Sequence, residues 1–139
     1  MSDDLADEVQ RVAAGIAATR PDRLDYSEGS LAVIEEMLAE AAEYVDGMTE
    51  DLATDIAEQT GCYILEVGRR NHGGRYVWYE ARNAPVLLVG EPEFRVAMLT
   101  WDKTRGRLSG DEADNIPFFY DGFAACVRSA SPGDDALYV

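Results

Sequence analysis

Leu31, Ile34, Leu38, Ala41 and Val45 recur at steps of three and four residues, and this spacing restricts the fold more than anything else in the chain. It matches the 3.6-residue turn of an α-helix, so the five side chains lie along one narrow stripe that must pack against another helix. The same pattern occurs on either side. Leu5, Val9, Val12, Ala13 and Ile16 predict an amphipathic helix over 3–19, which Pro21 stops. Leu52, Ile56, Gln59 or Thr60, Tyr63 and Val67 predict a third. Ser27 is placed to cap the second helix, and Asp46-Gly47 to end it. Thr49 caps the third, with Glu50 and Asp51 in its first turn, where the helix dipole favours anions. Arg69, Arg70 and His72 lie at its opposite end, ahead of a Gly73-Gly74 C-cap. Gly61 falls inside this helix and costs about 1 kcal/mol against Ala, which a close helix–helix approach would offset.

Beyond Gly74 the pattern changes. Tyr76-Val77-Trp78-Tyr79 is rich in β-formers and reads as a strand. Arg82-Asn83-Ala84-Pro85 turns the chain, and Val86-Leu87-Leu88-Val89 reads as the antiparallel partner. Pro92 to Thr104 reads as a helix, because Phe94, Ala97, Met98 and Trp101 share a helical face and Val96-Ala97-Met98-Leu99 does not alternate; a third strand is the alternative. Pro117 opens a last helix carrying Phe119, Tyr120, Phe123, Cys126 and Val127. The expected class is α+β: three N-terminal helices, a β-hairpin or three strands, then one or two C-terminal helices. The 139 residues suit a single domain. Residues 1–23 form its N-terminal helix and link, 24–128 its main core, and 129–139 a loose tail.

Charge separates the two halves. Residues 1–60 hold sixteen acids against Arg11, Arg20 and Arg23, whereas residues 61–139 are nearly balanced. From Asp25 to Glu58 there are eleven acids and no base. A net charge of −15 is the reverse of what a nucleic-acid binder carries, so no nucleic-acid partner is expected. No apolar run approaches the length of a membrane span, and the acidic N-terminus is unlike a secretory signal. A cytoplasmic protein without membrane association is therefore expected.

Little in the chain points to catalysis. His72 is the only histidine, and beside Gly-Gly it reads as a helix cap. Cys62 and Cys126 are far apart and read as buried, reduced thiols. With one His and two Cys, a zinc site is not expected, nor is any cofactor. Residues 110–115 are acidic but lack calcium-loop spacing and read as a capping loop. Glu66, four residues before Arg70, is placed for a structural ion pair.

Leu24-Asp25-Tyr26-Ser27 with Ser30-Leu31, Gly61-Cys62-Tyr63 with Glu66-Val67, Gly73-Gly74 and Trp78 together resemble a family of bacterial domains of unknown function. That family has an LDxSxxSL start and a GxYxxEV helix ahead of a Gly-Gly turn and an aromatic strand. Asp114-Asn115-Ile116-Pro117-Phe118-Phe119-Tyr120 looks like its closing segment. The resemblance implies a small α+β domain and supplies no catalytic residues.

Two functional expectations follow. In the favoured one the protein is a non-enzymatic interaction module, of immunity-protein or chaperone type. Its acidic helical face, with Glu36, Glu40 and Glu43 stacked along one helix, would meet a basic protein. In the other, Glu66, Arg70, His72 and Trp78 converge at the helix–hairpin junction as an enzyme or small-ligand site. A self-associating helical subunit, hence a homo-oligomer, is a third form.

Overall fold

The computed structural model describes residues 2–139. Three helices come first: α1 (Ser2–Ala17), α2 (Leu31–Ala42) and α3 (Glu50–His72). The strands β1 (Arg75–Tyr79), β2 (Ala84–Val89) and β3 (Arg95–Leu99) follow, then α4 (Trp101–Leu108), α5 (Ile116–Ser129) and β4 (Asp135–Tyr138). This is the α+β class read from the sequence. The strands lie in the order β1-β2-β3-β4, with β4 parallel to β3 and the other pairs antiparallel.

The capping residues act as their chemistry requires. The Thr49 hydroxyl accepts from the Leu52 amide at 3.1 Å, and Gly73, at φ 77°, closes α3 in a conformation that costs a side chain dearly. Ser27 caps a short 3-10 turn, Glu28–Ser30, that runs straight into α2. Asp111 caps the short 3-10 turn Glu112–Asp114 and Asn115 caps α5, as expected of a capping loop.

Helix α3 is the axis of the fold. Every residue from Thr60 to Gly68 is buried, so the narrow stripe expected from its sequence is replaced by burial all round. The helix is enclosed by α1, α4, β2 and the turn ahead of α2. Glycines make two of these approaches possible. A Cβ on Gly61 would lie 2.6 Å from Trp101 Cδ1, so α4 sits directly on the α3 backbone. There the Thr100 hydroxyl donates to the Gly61 carbonyl and the Thr104 hydroxyl to the Ala57 carbonyl, at 2.8 and 2.7 Å. Gly68 likewise admits Leu87 and Met98 from the sheet.

Two expectations need correction. Residues 92–104 are not one helix: 95–99 form β3, and the helix begins only at Trp101. The apolar run arises because β3 is covered on both faces. Val96 and Met98 face the helices, while Leu99 joins Ala84 and Val86 in a second small cluster on the far face. A strand with two apolar faces loses the alternation by which strands are read.

Nor is the C-terminal segment a loose tail. Residues 135–138 add β4 to the β3 edge, after the Gly133 amide has bonded to the Glu93 carbonyl at 2.7 Å. Tyr138 fastens the strand: its phenol rests on Gly122 of α5, and its ring lies 5.4 Å from that of Phe119. A methyl group on Gly122 would occupy the place of the Tyr138 hydroxyl. Gly122→Ala should therefore release β4 while α5 stays folded. Limited proteolysis should then cut first near 131–139, with a loss of stability of about 1–2 kcal/mol.

Candidate functional site

The motif residues at the helix–hairpin junction build a closed polar network. Asp25 accepts from the Ser27 amide and hydroxyl, at 3.1 and 2.6 Å, and Ser27 in turn accepts from the Ser30 amide. The Ser30 and Tyr63 hydroxyls are bonded at 2.7 Å, and Tyr63 accepts the Tyr26 amide at 2.9 Å. Tyr26, at a left-handed φ of 65°, stacks on Tyr63 and carries the Arg70 guanidinium 3.6 Å above its ring. Arg70 reaches Glu66 at 2.9 Å, Arg69 grips the same carboxylate with two bonds of 2.8 and 2.7 Å, and the Tyr76 hydroxyl donates to it at 2.6 Å. Burial by itself would raise the Glu66 carboxyl. The bonds from Arg69, Tyr76 and Arg70 outweigh it and hold the pKa down to about 2.

Of the four residues expected to converge here, only Glu66 and Arg70 meet. His72 turns to Glu28, which lies 3.2 Å from its Nε2 and also accepts from the Tyr120 hydroxyl at 2.6 Å. Trp78 lies elsewhere, edge-on to Trp101. Glu66 has every oxygen taken by partners of this chain, so it presents no free acid or base. Burial pushes the Cys62 thiol up to about 11, which keeps it protonated and inert; Cys126 is half-buried, more open than expected. No group of three or more metal-ligating side chains is gathered among the described residues. No helix among them is long and apolar enough to cross a membrane.

The acidic half has a different geometry. Its charges are partly answered from within the chain. Glu35 pairs with Arg107 at 2.6 Å and accepts the Ile116 amide, Glu36 pairs with Arg23 at 2.8 Å, and Glu50 pairs with Arg105 at 3.2 Å. Glu36 is thus already engaged. Glu40, Glu43, Asp46, Asp51 and Asp55 have no cation in reach among the described residues.

Beside Glu40 lies a cleft of about 610 Å³ between α1, α2 and α3. Val12 and Ile16 of α1, Met37 and Ala41 of α2, and Ile56 of α3 give it apolar walls. Glu40, Tyr44, Gln59 and one cation, Arg20, stand at its rim. Tyr44 is 70% exposed and separates the cleft from a shallower hollow bordered by Glu43, Asp46 and Leu52, itself 48% exposed. The sequence marked Ala41 and Ile56 as core and singled out Glu40 and Glu43 by charge. It gave no sign that the helices part here, because the same stripe pattern describes a packed seam and an open one.

Comparison with protein-family models, with curated proteins and with solved structures finds no match.

Proposed function

We propose that this protein is a non-enzymatic interaction module of the cytoplasm, and that the cleft between α1, α2 and α3 receives the apolar side of a segment from a basic partner. The observation that carries the reading is an apolar cleft, with Tyr44 and Leu52 exposed beside it, bordered by Glu40 and, at the adjoining hollow, Glu43, neither with a cation in reach among the described residues. An amphipathic helix laid in such a groove buries its apolar anchors, while its basic residues meet Glu40 and Glu43. Complementary charge of this kind speeds encounter and rejects acidic competitors. Of the two forms expected from the sequence, the cleft favours the chaperone-like one over an immunity protein, which acts through a surface fitted to one folded toxin. The motif family resembled by residues 24–123 is compatible with either.

The test compares partners retained from the native cell at low and moderate salt. Glu40→Gln combined with Glu43→Gln should lower retention of a basic partner about tenfold at low salt and less at moderate salt, where screening already weakens the attraction. Ala41→Arg should abolish retention at both, by filling the cleft and setting a cation against the basic partner. If the same partners are held equally by all three proteins, the reading fails.

A further inference from the structure

A second cavity, small and more enclosed, lies where α1, α3, β1 and α4 meet. Its volume is about 100 Å³. Trp78 and Trp101 form two walls, with ring centroids 6.1 Å apart and planes at 82°, so the two indoles make a corner. Val9 and Cys62 supply apolar surface, and the carboxylate-bearing side chains of Glu8 and Glu58 complete the lining. The two acids differ. Glu8 is bound to Arg11 at 2.5 Å, so its charge is largely answered. Glu58 has no cation in reach among the described residues, and burial together with neighbouring Asp55 raises its carboxyl above the ordinary value.

From this corner we infer that the cavity binds a small quaternary ammonium ion, with its methyl groups against Trp78 and Trp101 and its charge toward Glu58. The negative faces of aromatic rings attract cations, and indole does so best. A strongly hydrated cation would lose its water here with few oxygens to replace it. A methylated ammonium spreads its charge over apolar surface, so it suits walls that are aromatic on two sides and aliphatic beneath. The volume limits the occupant to a head of three or four methyl groups. A neutral group of that shape would fill the same space but leave the Glu58 charge unanswered. This inference is independent of the α1–α3 cleft, with which the cavity shares only Val12.

Trp78 and Trp101 are the only tryptophans of the chain, so fluorescence excited selectively in tryptophan, clear of the seven tyrosines, reports on this cavity. The full-length protein would be titrated with choline chloride at constant ionic strength, against sodium chloride and against 3,3-dimethylbutan-1-ol, the neutral analogue with a tert-butyl head. The expected result is a saturable change with choline, no saturation with sodium, and binding of the alcohol weaker by about threefold to tenfold. Trp78→Leu and Glu58→Gln should each weaken choline by a similar factor. Trp78 is 42% exposed, so its loss should leave the far-ultraviolet circular dichroism and the melting curve unchanged, and an NMR titration replaces fluorescence for that variant. A peptide bearing trimethyllysine serves as a second arm: tighter binding than choline places the ammonium group on a protein side chain, weaker binding on a free solute. The inference is overturned if choline gives no saturable change, if the alcohol binds equally well, or if both variants bind choline as the wild type does.

Discussion

Glu66→Gln is expected to lower the stability of this protein by about 3 kcal/mol, the largest loss anticipated for a single substitution that keeps side-chain shape. The Glu66 side chain is 1% exposed, yet three side chains bond to its carboxylate. Glutamine offers one acceptor where there were two and turns an amide donor toward two guanidinium groups. Breaking a buried ion pair on one side costs about 3–5 kcal/mol. The lower end applies because Arg69 and Arg70 are about a third and a half exposed and can regain water. Urea denaturation should show it as a lower midpoint with the slope preserved, and a thermal scan as a fall of roughly 10 °C.

The same residue fixes a pH dependence with a definite sign. The Glu66 pKa lies near 2 in the folded protein against 4.5 as the reference for an unperturbed carboxyl. Because it is depressed on folding, its stabilisation is complete above about 4.5 and fades as the pH falls toward 2. The stability gap between wild type and Glu66→Gln should therefore be constant near neutrality and shrink through that acid window. A gap that stayed constant down to pH 2 would mean that the arginines do not hold the carboxylate as described.

The second large effect is expected at Gly61. Alanine is the better helix former by about 1 kcal/mol, and on propensity alone the exchange should stabilise α3. Contact reverses the sign. The added methyl meets the Trp101 ring at 2.6 Å and the Thr100 hydroxyl at 3.1 Å, so α4 must withdraw and strain both threonine bonds to α3. Overpacking of this kind costs about 1–3 kcal/mol, which after the propensity gain leaves Gly61→Ala destabilised by up to about 2 kcal/mol. Gly68→Ala makes the control. Its methyl is crowded by the ends of Leu87 and Met98, at 2.9 Å, whose flexible tips can turn aside, and touches Phe123 at an ordinary 3.8 Å. That variant should stay within about 1 kcal/mol of wild type. If urea midpoints rank the two alanines the other way, the seat of Trp101 on Gly61 is wrong.

These glycines show what could be read from the sequence. Gly61 in a helix pointed to a close approach before any coordinates, and α4 makes it. The three opening helices, the hairpin and the caps at Thr49 and Gly73 were legible because each rests on local spacing or on one residue's stereochemistry. The failures were of another kind. Strand β3 was masked by an apolar residue on each face, and β4 depends on a tyrosine hydroxyl finding a glycine sixteen residues earlier. The site suffered in the same way. Trp78 was grouped with Glu66, Arg70 and His72 but stands against Trp101 instead, a neighbour that follows from a sheet register local pattern does not encode. Glu36 looked free until Arg23 was found beside it, whereas Glu40 and Glu43 are as open as their charge implied.

Encircling one helix with α1, α4 and the sheet also determines how the molecule comes apart. Since α3 is the common wall of α1, α4 and the sheet, none of these can detach without uncovering Thr60 to Gly68. The amides of that stretch should exchange with solvent only when the whole chain opens, so their protection should equal the global unfolding free energy. Helix α2 packs on α4 and α5 more than on α3, so its last turn, beside the cleft, can fray on its own. Cooperativity and plasticity are thus assigned to different parts of one small domain, an indivisible centre and a looser margin.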